Sequence, residues 1–231
     1  IHCVYFLVFL LKRLRLILLR ISMQTILDSF KSENHLLESN VYQYLKSEKV
    51  EKILVACSGG ADSVFALLLL SVYQKELGFD LEVAHFNHQW RGAVSKKDAQ
   101  YVKDLANSLG LRYHYASAEL DQSVKTETKA REARIAFLRK TASELGARVI
   151  AFGHQMDDIL ETQIQRLGRG SSIEGLIAPR PIHIFENGPT HIRPILNYTA
   201  KVIKQSLNKH GMNWCEDCLL YTSPSPRDEQ S

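Results

Sequence analysis

The chain has 231 residues, 45% hydrophobic and 23% charged, enough to bury one core and too apolar for a disordered polypeptide. Its formal charge of +4 carries no message about nucleic acid, because Lys12, Arg13, Arg15 and Arg20 fall in the first 22 residues, which hold no acid. Outside them, basic and acidic residues are equal in number. The cysteines, Cys3, Cys57, Cys215 and Cys218, are too few for a disulfide framework and point to a reduced, cytosolic setting.

Along the chain, Ile1 to Leu11 is an apolar run followed at once by Lys12, Arg13 and Arg15. The run is short for a bilayer span, and a signal peptide carries its positive charge before the apolar stretch, not after it. Two readings remain: translated upstream sequence with the functional start at Met23, which we prefer, or an interfacial anchor. Residues 1–22 are therefore expected to lie outside the domain, and no membrane partner is expected.

Lys52 to Cys57 reads as a buried strand, and Asp62 to Leu77 as a helix ended by Gly78. Leu81 to Phe86 is a second strand. Ser95 is an N-cap candidate for a helix through Leu109, closed by Gly110. Leu111 to Ala116 is a third strand and Thr126 to Leu145 a long helix before Gly146. Arg148 to Gly153 and Asp157 to Leu167 repeat the pattern; His191 to Leu196 and Thr199 to His210 supply a fifth strand and a last helix. This alternation predicts an α/β fold, a Rossmann-like parallel sheet of about five strands with helices on both faces. Leu219 to Ser231 is polar, bears Ser and Pro and lacks periodicity, so it reads as a disordered or adaptor-derived tail. The expected domain spans 23–217, as a fragment broken near Asp217.

Ser58-Gly59-Gly60-Ala61-Asp62-Ser63 links the first strand to the first helix. Glycines there let the backbone approach a ligand, helix-start amides suit a phosphate, and Ser58 and Ser63 offer hydroxyl donors. No Gly-Lys-Ser/Thr closes the loop, so it is not a Walker A motif. Asp62 reads either as a helix-dipole residue or as a ligand of Mg²⁺, because a carboxylate beside a triphosphate needs a bridging cation.

The SGGADS string resembles the SGGxDS signature of the N-type ATP pyrophosphatases, which cleave ATP between its α and β phosphates. Within that superfamily the chain resembles the tRNA(Ile)-lysidine synthetases over about Glu51 to Asp217. His85-Phe86-Asn87-His88-Gln89-Trp90-Arg91-Gly92 with Ser95 and Asp98 is similar to their HxNHxxRG segment. Ala130 to Leu138, with Arg131 and Arg134, is similar to ARxxRYxFL. His154-Gln155-Met156-Asp157-Asp158-Ile159-Leu160-Glu161-Thr162, then Arg166 to Ser171, is similar to HxxDDxxET and RLxRGS. Arg193 to Leu196 and Asn213 to Asp217 are similar to RPLL and WxxD.

The resemblance implies a ligase of the adenine nucleotide alpha hydrolase-like fold that joins L-lysine to the wobble cytidine of tRNA(Ile) at the expense of ATP. Arg131 and Arg134, three apart, share a helix face for phosphate or for solvated pairing with Glu127 or Glu132. Asp157, Asp158 and Glu161 crowd one helix start and need cations, either Mg²⁺ or the lysine ammonium; capping alone explains one or two of them. The expected catalytic set is Asp62, Arg131, Arg134, His154, Asp157, Asp158 and Glu161. Ser58, Gly59, Gly60, Ala61, Asp62 and Ser63 bind nucleotide, Asp62 and Asp157 hold Mg²⁺, and a homodimer is left open. The rivals are a 2-thiocytidine-type tRNA thiolase, for which Cys215 and Cys218 form a CxxC, and a non-catalytic nucleotide-binding module.

Overall fold

Ile53, Leu54 and Val55 are apolar without alternation and all fully buried, the mark of a parallel strand covered on both faces. They belong to the central strand of a computed structural model that describes residues 2–33, 35–88, 93–117, 127–168 and 180–216. In chain order the elements are α1 (His2–Ser32), α2 (Ser39–Ser47), β1 (Lys52–Ala56), α3 (Ala61–Leu77), β2 (Asp80–Asn87), α4 (Ala93–Leu109) and β3 (Arg112–Ser117). There follow α5 (Glu127–Leu145), β4 (Val149–Phe152), α6 (Met156–Gly168), β5 (Ile182–His183), β6 (Thr190–Ile192) and α7 (Ala200–Lys209).

The sheet order is β3-β2-β1-β4-β6-β5, parallel except for β5, which runs antiparallel to β6. The chain leaves β1 through α3 toward β2, and comes back from β3 through α5 to β4 on the other side of β1. The strand ends between β1 and β4 are thus the topological switch point, where Ala56 is in register with both Ala84 and Phe152. Ile53, Val55, Val83, Val149 and Ala151 face the larger core, shared with α1, α2, α3, α4 and α7. Leu54, Ala84, Ile150 and Phe152 face α5 through Leu138 and Ala142. Helix α3 is apolar on every side from Val64 to Leu70 because the sheet lies on one flank and α1 and α7 on the other.

Most expected elements are present, with differences at their edges. The helix expected to open at Ser95 begins at Ala93, so Ser95 lies inside α4; its carbonyl accepts a hydrogen bond from Asn87. The fifth strand is shorter than expected because Pro194 has no N–H for a ladder; Ile195 rejoins as an isolated bridge to Gln155. The two-residue β5, and the helices α1 and α2, were not expected. Helix α2 starts on Glu38, whose carboxylate accepts the Val41 N–H at 2.9 Å. Helix α1 runs through residues 2–32 without a break at Met23, and Met23 and Phe30 are buried. No helix among the described residues is long and apolar enough to cross a membrane.

Candidate active site

The loop from Ser58 to Ser63 turns between β1 and α3 at the switch point. Gly59 has φ 96°, and a Cβ there would meet Cys215 Sγ at 3.0 Å and Val102 Cγ2 at 3.2 Å. The Cys215 N–H donates to the Gly59 carbonyl at 2.9 Å, so the segment after α7 holds the loop from behind. Ser63 Oγ donates to the Gly60 carbonyl at 2.9 Å, accepts from the Gly59 N–H at 3.2 Å and lies 3.1 Å from Ser58 Oγ. Ser58 Oγ accepts from the Gly60 N–H at 3.3 Å. The two hydroxyls expected to reach a phosphate therefore brace the loop itself. Gly60 gives no side-chain cap to α3, which leaves the leading amides of that helix for an anion. Gly153 closes the other side: a Cβ there would stand 2.8 Å from the Ser63 backbone.

An open cavity of about 450 Å³ lies over this loop. Ser58, Gly60, Asp62, Ser63, Arg134, His154 and Asp158 line it. Gly59 and Ala61 sit behind its surface, and Arg131, Asp157 and Glu161 lie outside it. Ala56, Ala84, Phe86, Leu138 and Phe152 form an apolar wall suited to a planar base.

The acidic flank is built by caps. Gln155 Oε1 accepts the Asp157 N–H at 2.7 Å, while Asp158 Oδ2 accepts the Gln155 N–H at 2.8 Å, a reciprocal capping box at the start of α6. Asp157 turns the other way and caps α7, its Oδ2 accepting the Ala200 N–H at 2.9 Å. The Asp157 carboxylate, expected on metal, is thus engaged with α7, and Glu161 is exposed one turn further along α6. Burial, reinforced by Asp158 and Asp157 and opposed by Lys204, raises the Asp62 carboxyl to about 6. Burial also raises Asp158.

The opposite flank is cationic. His154 is pushed down to about 4 by burial and then by Arg193, Arg134, Arg131 and His191. Its imidazole is therefore neutral at neutral pH. Burial and Arg131 lower Arg134 as well. Arg134 Nε, His154 Nδ1 and Arg193 Nε are buried without a hydrogen-bond partner among the described residues. Arg131 is exposed, so of the two arginines on one face only Arg134 enters the cavity.

His85 serves the framework, since its Nδ1–H donates to the Cys57 carbonyl at 2.9 Å and ties β2 to the end of β1. Asn87 donates to the Ser95 carbonyl and to Tyr115 Oη, each at 3.2 Å. His88 lines the cavity, lowered to about 4 by burial and by Arg134. Lys204 was not foreseen, since an exposed-looking lysine on a late helix carries no local signal. The expected segments at 89–92, 169–171 and 217–218 lie outside the described residues.

A family model described as a PP-loop domain matches residues 33–220. The chain is 38% identical over 156 residues to a tRNA(Ile)-lysidine synthase of Dehalococcoides mccartyi, covering 64% of this chain and 33% of that protein. It is 34% identical over 191 residues to a tRNA(Ile)-lysidine synthase of Bacteroides thetaiotaomicron, covering 79% of this chain and 43% of that one. The chain thus spans well under half the length of these curated relatives. Among solved structures it resembles a U34-tRNA thiolase of Methanococcus maripaludis with a TM-score of 0.62 at 16% identity, covering 81% of this chain and 70% of that one. At that identity the likeness speaks for the fold alone.

Proposed function

This chain belongs to the PP-loop domain family, and from that membership we propose that it carries the ATP-cleaving half of a tRNA(Ile)-lysidine synthesis. ATP lies with its base along the apolar wall and its phosphates over the start of α3. The 2-keto oxygen of a tRNA cytidine attacks the α-phosphate; the new P–O bond forms as the α–β bond breaks and pyrophosphate leaves. The lysine ε-amine then attacks the activated ring carbon, and AMP departs with the former keto oxygen. The target base must be unstacked to reach the cavity, as in an anticodon loop.

The chain's own residues divide this work. The leading amides of α3 and the Arg134 guanidinium hold phosphate oxygens as charge builds. Neutral His154 offers a hydrogen bond beside them without adding a charge. Asp158 holds the lysine ammonium, and exposed Glu161 three residues on adds only a screened attraction. Asp62, beside the phosphate loop, is a hard oxygen donor raised by burial, a group that fits Mg²⁺. Such an ion supplies neutralisation of the departing phosphate charge.

The observation that carries this reading is the layout of the cavity: the carboxylates Asp62 and Asp158 on one flank, and on the other the Arg134 guanidinium, with an unmet Nε donor, beside neutral His154. A magnesium triphosphate complements both. The test uses a fusion in which the homologous C-terminal region of the Dehalococcoides mccartyi relative follows residue 216. Pyrophosphate release that depends on tRNA(Ile), with labelled lysine entering the tRNA and AMP released, is the expected result. Incorporation of sulfur, or pyrophosphate release indifferent to tRNA(Ile), would overturn it.

A further inference from the structure

The C-terminal ends of α1 and α7 meet at side chains that the nucleotide cavity does not use. Glu33 follows α1, His35 stands two residues on, and His210 closes α7. Glu33 Oε2 lies 3.0 Å from His35 Nε2 and 3.2 Å from His210 Nε2. All three donor atoms lie within 4.8 Å of one another, the only such His/Cys/Asp/Glu convergence among the described residues. Donors on a tetrahedral zinc ion stand about 3.3 Å apart, so small side-chain rotations suffice to seat one.

The surroundings favour metal over a plain ion pair. The His210 side chain is only 4% exposed, and its Nε2 makes no well-aligned hydrogen bond although Glu33 is at ion-pair distance. Phe30 packs against both imidazoles, with ring centroids 4.6 Å from His35 and 5.1 Å from His210. Lys209 takes the other oxygen of Glu33, leaving Oε2 directed at the two rings.

We propose that Glu33, His35 and His210 form a binding site for a divalent transition ion of the zinc or cobalt type, which clasps α1 to α7. Two imidazoles and one carboxylate select such an ion over Mg²⁺ or Ca²⁺. Ser206 Oγ, 2.9 Å from His35 Nε2, releases that nitrogen when the ion enters. The site holds the helix that carries Phe30, so occupancy stabilises the fold.

The test titrates the 231-residue chain with Zn²⁺ by calorimetry and with Co²⁺ by visible absorption, without nucleotide. One saturable site with the ligand-field bands of four-coordinate cobalt is expected, and Zn²⁺ should raise the thermal midpoint. His210→Gln and the isosteric Glu33→Gln should each weaken the site by at least about tenfold and abolish the midpoint shift. Ser206→Ala should retain it. Unchanged Zn²⁺ affinity in either folded variant overturns the proposal, as does the lack of a saturable site in the parent chain. Thiolate-to-cobalt charge-transfer bands would place the ion on cysteine and overturn it too.

Discussion

Asp62 separates stability from chemistry within one side chain. Its carboxyl is raised to about 6, first by burial and then by Asp158, so the folded state holds a disfavoured charge at neutral pH. An acid whose folded pKa lies above its unfolded one makes the fold gain stability as pH falls from about 6 toward the ordinary value of 3.8. Asp62→Asn removes that cost at pH 7.5. The expected gain is about 1–2 kcal/mol after discounting partial exposure, or roughly 2–8 °C in the thermal midpoint. Calorimetry on the same variant should find Mg²⁺-dependent ATP binding weakened or lost; unchanged Mg·ATP affinity would remove Asp62 from the metal.

His154 carries the opposite pH sign. Its folded pKa of about 4 lies below the ordinary histidine value of 6.5, so the fold resists protonation there. The stability it contributes is present above 6.5 and drains away as pH falls toward 4. His154→Gln should flatten the decline of the thermal midpoint between about pH 6.5 and 4.5. A curve parallel to that of the parent chain would show that the ring is solvated.

At the scale of elements, α6 gives its three acids three different roles, and substitutions should read them apart. Asp157→Ala leaves the Thr199 cap of α7 but removes the acceptor of the Ala200 N–H, and should cost about 1 kcal/mol in a denaturant titration. Asp158→Asn keeps an oxygen for the Gln155 N–H and so spares the capping box, but removes charge from the cavity. In lysine incorporation by the fusion protein, its loss should be at least roughly 30-fold, because an ammonium in a shielded cleft loses its partner, about 2–5 kcal/mol. Glu161→Gln, at an exposed site, should cost only a few-fold, about 1 kcal/mol or less. If Glu161→Gln equals Asp158→Asn in lysine use, Glu161 enters the site when substrate binds. If both lower ATP affinity as much as lysine use, the acids serve the metal.

For the molecule as a whole, α1 joins a packed carboxyl-terminal end to an exposed stretch around residues 17–22. Met23 and Phe30 are buried, whereas Leu14, Ile17, Leu18, Leu19 and Ile21 are 46–65% exposed. A Cβ added at Gly110, in the turn after α4, would stand 3.6 Å from the Arg20 guanidinium. We propose that residues 1–22 lie outside the functional domain, and that their deletion leaves the thermal midpoint within about 2 °C while improving solubility. A marked fall in the midpoint would show that the amino-terminal half of α1 packs on α4.

What the sequence determined by itself is what local chemistry dictates. Apolar runs of strand length, helix-period segments and the glycines after them marked β1 to β4 and α3 to α6 to within a few residues. The SGGADS string marked the phosphate loop, because backbone approach to an anion demands glycine at a strand-to-helix turn. Helix α1 escaped notice because an apolar run before a basic cluster has no amphipathic signature, and β5 because two residues carry no period. Only the tertiary structure decided which way each polar group points. Ser58 and Ser63 brace their own loop, Asp157 reaches across to α7, Arg131 stays in solvent while Arg134 enters the cavity, and Lys204 and Arg193 bring charge from distant segments. The physical reason is range. Periodicity and turn chemistry act over a few residues and so are written in the chain, whereas burial and electrostatic fields depend on neighbours that come together only when the sheet closes.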